Sequence, residues 1–101
     1  ENIEKYIVKI IASTRKPEDY GIKDISSLIS FGASPRATIY LTYASKARAF
    51  FENRSYVTPQ DIRYVINDIL RHRLILSYEA EAEEISPQDI INRIIESIPT
   101  P

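Results

Sequence analysis

The apolar residues of this chain recur mostly with the period of an α-helix, and nowhere alternate long enough for a sheet-based domain. Ile3, Ile7, Ile10 and Ile11 share one face of a helix predicted over about Asn2–Arg15. Asn2 is a candidate cap, and Lys16-Pro17 ends the element, because a residue before proline avoids the helical region. After a loop over Pro17–Gly21, the spacing of Ile22, Ile25, Leu28 and Ile29 fits a short helix within about Asp19–Ser30.

Three later helices carry the same start signal. Gly32-Ala33 reads as a turn, Ser34 as an N-cap and Pro35 as the first residue of a helix running to about Asn53. Around that helix Ile39, Tyr40, Tyr43, Ala44, Ala47, Phe50 and Phe51 gather on one side, the expected core face. Thr38, Thr42, Ser45, Lys46, Ala49, Glu52 and Asn53 gather on the other, and Arg48 and Glu52 form an i, i+4 pair. Thr58 caps the next helix, with Pro59 following and Asp61 three residues on. Its apolar face is Ile62, Val65, Ile66, Ile69 and Leu70, and it ends near Arg71. Ser86, Pro87 and Asp89 repeat the signal ahead of Ile90, Ile91, Ile94, Ile95 and Ile98, and Pro99-Thr100-Pro101 ends that helix and reads as a true C-terminus. These starts fall at unequal intervals, so they are capping chemistry and not an internal repeat.

Leu74–Tyr78 is a short apolar run, open to reading as a strand or as a helix continuation. The extended reading is preferred, and its partner would come from around Ile29–Phe31. Glu79, Glu81, Glu83 and Glu84 follow as an acidic loop. The fold class is therefore mainly α: one small helical bundle over residues 1–101, with about five helices and at most a minor β pairing.

Composition narrows the function. The 101 residues are 44% hydrophobic and 27% charged, enough to build a core and stay soluble. Isoleucine is over-used, 18 against 5 leucines, which inflates strand propensity and leaves periodicity to arbitrate. With 13 basic and 14 acidic residues the net charge is −1, which argues against nucleic-acid binding driven by bulk charge. There is no cysteine, so disulfides, thiolate metal sites and cysteine nucleophiles are excluded, and a single histidine cannot build a His-rich metal site. No apolar run approaches the ~20 residues of a membrane span, and no signal peptide opens the chain, so the cytoplasm is the expected compartment. There is no methionine, and the chain opens directly in a helical pattern, as expected of a piece of a longer protein.

Arg36 is the candidate for chemistry. It falls in the first turn of its helix, where a cation opposes the dipole by ~0.3–1 kcal/mol. Tyr43 lies only about 20° from it on the wheel, which places Arg36 on the expected inward side. A bound anion explains such a cation, and phosphate suits a guanidinium beside free helix-terminal N–H groups. The alternatives are an internal carboxylate partner or snorkelling along apolar surface. The Arg71-His72-Arg73 trio reads more simply as cations complementing a helix C-terminus than as a contact with a nucleotide edge or a neighbouring subunit. The acidic run lacks the ligand spacing and turn glycine of a calcium loop. Tyr40 and Tyr43 read as core rather than as base-stacking platforms.

The stretch Gly32-Ala33-Ser34-Pro35-Arg36-Ala37 resembles the second-sensor motif of AAA+ ATPases of the MoxR family. The segments YIVKIIASTRKPEDYGI, ISFGASPRATIYL, SKARAFFENRSYVTPQDI and LRHRLILSYEAEAE, with the IPTP ending, look like the C-terminal lid of that family, so the resemblance covers essentially the whole chain. It implies a cytoplasmic, ring-forming parent, expected to be a hexamer, with chaperone-like remodelling activity. It implies ATP and Mg2+ in that full-length protein, a preceding AAA+ core domain as partner, and a von Willebrand factor A domain protein as a possible second partner. It carries over to Arg36 the role of contacting the ATP γ-phosphate, with Ser34 and Pro35 beside it. No GxxxxGK[ST] loop occurs in these residues, so the piece alone is expected to be inactive. The rival class is a histone-fold-like helical module for DNA or protein binding. The length of the middle helix and the absence of a dense basic face argue against it, and neither membrane nor nucleic acid is an expected partner.

Overall fold

The computed structural model describes residues 2–101. Five α-helices and one small sheet follow in the order α1 (Asn2–Arg15), β1 (Ile29–Phe31), α2 (Arg36–Phe51), α3 (Pro59–Leu70), β2 (Ile75–Leu76), α4 (Tyr78–Ala82) and α5 (Pro87–Ser97). The body is elongated, 43 × 22 × 21 Å.

α1 has its predicted bounds, though Asn2 lies inside it and not at the cap. Its inner face, with Ile7, Ile10 and Ile11, meets Ile62, Ile66 and Leu70 of α3 and Ile90, Ile91 and Ile94 of α5 in one isoleucine-rich core. The short connection over residues 52–58 makes α2 and α3 neighbours, and theirs is the most extensive helix contact. The sheet pairs β1 with β2 antiparallel, Ile29 opposite Leu76 and Phe31 opposite Ile75; of the run Leu74–Tyr78 expected to be extended, Ile75–Leu76 is strand, while Ser77 caps α4 and Tyr78 opens it.

Three expectations are corrected. The helix predicted within Asp19–Ser30 is instead two 3-10 turns, Pro17–Tyr20 and Lys23–Ile25, leading into β1. Gly21, at φ 77°, separates them. Buried Ile22, Ile25 and Leu28 recur every three residues, a spacing that short 3-10 turns satisfy as well as an α-helix does over so short a stretch. The acidic run is a loop only in its second half, at Glu83 and Glu84. Glu79 and Glu81 lie in α4, whose start is capped by the Ser77 hydroxyl accepting from the Ala80 N–H at 3.3 Å. The third correction concerns the face of α2. Its buried residues are Ala37, Leu41, Ser45 and Ala49, while Ile39, Tyr40, Tyr43, Phe50 and Phe51 are exposed. Small side chains let α2 approach α3 closely, so the bulky stripe is turned outward.

The capping boxes form as predicted at Ser86/Asp89 and Thr58/Asp61. The second is reinforced. The buried Asp61 carboxylate accepts from the Thr58 N–H at 2.8 Å, from the Thr58 hydroxyl at 3.1 Å and from the Arg54 guanidinium. Burial alone would raise the Asp61 pKa, but the Arg54 and Thr58 hydrogen bonds outweigh it and hold the carboxyl below its ordinary 3.8. Because the group titrates lower folded than unfolded, its contribution is complete above that ordinary value and fades as pH falls through the folded one. Asp61→Asn should therefore cost about 1–3 kcal/mol at neutral pH. Urea unfolding at pH 7 and near pH 3 checks this, with the difference from the parent chain shrinking in acid.

Candidate functional site

What positions Arg36 begins one helix earlier. Thr14, in the last turn of α1, donates its hydroxyl to the Ile11 carbonyl at 2.6 Å and accepts the Ala33 N–H at 2.9 Å, both inside the protein. Gly32 lies against the same turn. A Cβ built on it would stand 2.3 Å from the Thr14 carbonyl oxygen and 2.7 Å from the Arg15 nitrogen. Backbone thus meets backbone, which only glycine permits. With residues 32 and 33 fixed, Ser34 and Pro35 lead straight into α2. The Ala37 N–H bonds the Ser34 carbonyl at 2.9 Å, and the Thr38 N–H bonds the Pro35 carbonyl at 3.0 Å. Pro35 has helical dihedrals but stands at the N-cap itself, one position later than expected of Ser34, and no side-chain bond caps α2.

Ser34, Pro35 and Arg36 are all exposed at this helix start. The expectation that Arg36 faces inward is therefore corrected, for the same reason that the aromatic stripe faces outward. It shares that outward side with Tyr40 and Tyr43, 45% and 67% exposed, so neither tyrosine is a core residue. The internal-carboxylate alternative also falls. Among the described residues the ion pairs are Arg48–Glu52, Arg54–Asp61, Arg71–Asp68 and Arg93–Asp24, and Arg36 is in none of them. From Ile25 to Phe51 the sequence holds no Asp or Glu at all. An exposed guanidinium on an acid-free, apolar face suits an anion presented by another body.

The Arg71-His72-Arg73 trio behaves as helix-terminal cations. Arg71 pairs with Asp68 at 3.4 Å, and Arg73 Nη1 donates to the Ile69 carbonyl at 2.7 Å. Arg73 also lies with Cζ 4.7 Å from the centroid of the Tyr40 ring, which brings the end of α3 onto the outward face of α2. Sequence reasoning missed Thr14 and Arg73 as partners of this region. Gly32 was visible as a turn, but nothing along the chain signals that its turn abuts α1. Among the described residues, no group of three or more His, Cys, Asp or Glu is arranged to hold a metal, and no helix is long and apolar enough to cross a membrane.

A family model of the AAA lid domain matches residues 23–94. The chain is 47% identical over 96 residues to Chaperone MoxR1 of Mycobacterium tuberculosis, covering 95% of this chain and 26% of that one. Protein MoxR of Methylorubrum extorquens is 34% identical over 105 residues, covering 98% of this chain and 30% of its own. The crystal structure of a proposed ATPase from Cytophaga hutchinsonii superposes with a TM-score of 0.95 at 50% identity, over 100% of this chain and 31% of that chain. The chain thus spans about a quarter to a third of the length of these relatives. These matches do not favour the histone-fold alternative.

Two substitutions test the support beneath the site. Gly32→Ala should cost about 1–3 kcal/mol by overpacking against α1. Thr14→Val should cost about 1–3 kcal/mol by leaving the Ala33 N–H buried without a partner. Thermal unfolding of each variant reads both, and Thr14→Ser, which keeps the hydroxyl, should recover most of the second loss.

Proposed function

The chain belongs to the AAA lid domain family, within the MoxR group of AAA+ ATPases, and on that premise we propose that it is the nucleotide-sensing lid of a longer, ATP-hydrolysing protein. The observation that carries this reading is Arg36, exposed and outside every ion pair among the described residues, in the first turn of a helix whose entry is clamped to α1. In this reading Arg36 pairs with the terminal phosphate of ATP, with Ser34 and Pro35 forming the turn that presents it. The pairing strengthens as negative charge develops on that phosphate.

Terminal-phosphate charge differs between triphosphate and diphosphate, and so does the hold on Arg36. Because the Arg36 turn is joined through Ala33 and Gly32 to α1 and the isoleucine core, release moves the domain as one body. Magnesium would neutralise phosphate charge in such a reaction. The exposed stripe of α2 is where a preceding AAA+ core would pack. The name Chaperone MoxR1 supports a remodelling role for the parent, as a ring, expected to be a hexamer, in the cytoplasm. A von Willebrand factor A domain protein is the proposed partner.

Arg36→Ala in the full-length protein tests this. ATP turnover should fall about 10²-fold or more, while stability changes by less than about 0.5 kcal/mol, as for an exposed residue without partners. Unchanged turnover would refute the sensing role.

A further inference from the structure

Arg36 is not the only cation on its face. Tyr40 follows it by one helical turn, and residues at i and i+4 have Cβ atoms ~5–6 Å apart. Helical side chains lean toward the N-terminus, so the Tyr40 ring covers the turn that carries Arg36. Arg73 reaches the same ring from the end of α3, its Cζ 4.7 Å from the centroid. The ring on which Arg73 is seated thus belongs to the residue one helical turn after Arg36.

Neither has an acid of its own among the described residues. The acid nearest in sequence before Arg73 is Asp68, already paired with Arg71 at 3.4 Å, and the next after it is Glu79. Arg73 spends one N–H on the Ile69 carbonyl at 2.7 Å, and that bond fixes the guanidinium in place while leaving its remaining donors free. A guanidinium held by a carbonyl and a ring face, with open donors, is a pre-ordered receptor for an oxyanion.

We propose that Arg73, seated on Tyr40, is a second cation for the terminal phosphate that Arg36 contacts, so that the first turn of α2 and the turn that follows α3 bind the same charged group. The proposal rests on the nucleotide-sensing reading of Arg36 and adds a residue that the second-sensor motif does not contain. It makes the phosphate a bridge between the start of α2 and the end of α3.

The test uses the full-length protein, titrated with ATPγS and separately with ADP. Arg73→Ala should weaken ATPγS binding about tenfold and leave ADP binding within about twofold, because only the triphosphate carries the group concerned. Arg73→Gln, which still donates to the Ile69 carbonyl, should show the same selective loss if alanine loosens the end of α3. Tyr40→Phe should keep the preference for ATPγS, and Tyr40→Leu should lose part of it. An unchanged ATPγS-to-ADP ratio in both Arg73 variants, or equal weakening of the two ligands, overturns the proposal. Arg36→Ala, measured alongside, separates the two claims: a ratio lowered by Arg36→Ala alone leaves the sensing role standing without Arg73, and a ratio lowered by neither removes both.

Discussion

The contact between Gly32 and the last turn of α1 decides where α2 begins and which way it runs. Backbone atoms of the two segments approach more closely than any Cβ would tolerate, and the Thr14 hydroxyl takes up the Ala33 N–H that this approach would otherwise bury alone. Each half supports the other. Without the glycine the segments would stand apart and the hydroxyl would lose its donor; without the hydroxyl the close approach would carry an unpaired amide. The start of α2 is therefore fixed to the core helix, although Ser34, Pro35 and Arg36 are all exposed. A side chain that projects outward from an inflexible base can report on what touches it, which a side chain on a loose loop cannot.

α2 is apolar on two sides, and the fold uses only one. Ala37, Leu41, Ser45 and Ala49 let it lie close to α3. Placing Tyr43 or Phe50 there would hold the helices apart and open voids beside the isoleucines. The larger side chains consequently point away, with Phe50 and Phe51 at 75% and 79% exposure in edge contact with each other. Scattered exposed apolar residues are ordinary, but five along one helix form a patch of the kind that marks an interface. The relatives, three to four times longer, have ample further surface to cover it.

What could be read along the chain was whatever depends on neighbours in sequence. The three proline-led helix starts and the Lys16-Pro17 stop are local chemistry, and all were legible. So was the pairing of Ile29–Phe31 with the run after Leu74, because a short apolar strand needs a partner and few segments remained. Ile22, Ile25 and Leu28 were misread because three residues of spacing 3 fit both helical periods within so short a stretch. The face of α2 was misread for a different reason. Side-chain bulk points to the core on the helical wheel, whereas the close helix contact selects for smallness, and periodicity cannot say which of two apolar sides meets which body. The clamp from Thr14 to Gly32 joins residues far apart in sequence, and the pairing of Arg73 with Tyr40 does the same across α2 and α3. Neither leaves a local trace.

A net charge of −1 hides how the charges are sorted. Arg48, Arg54, Arg71 and Arg93 each meet a carboxylate, and where one is buried, at Asp61, the pair is completed by two further hydrogen bonds. Arg36 and Arg73 stand outside this arrangement, as do Arg15 and Arg63. For an exposed arginine the lack of a partner costs little in water and would mean nothing alone. Position makes it informative. Arg36 sits where the helix dipole disfavours a cation, so the fold does not explain its charge. Arg73 sits where the dipole favours one, so its charge is explained; its seat on Tyr40 resembles that of Arg48 on Tyr64, 3.7 Å away, except that Arg48 also has Glu52 and Arg73 has no carboxylate. The unexplained part of each points to the same place, the outward face around Tyr40, and a single oxyanion arriving there accounts for both.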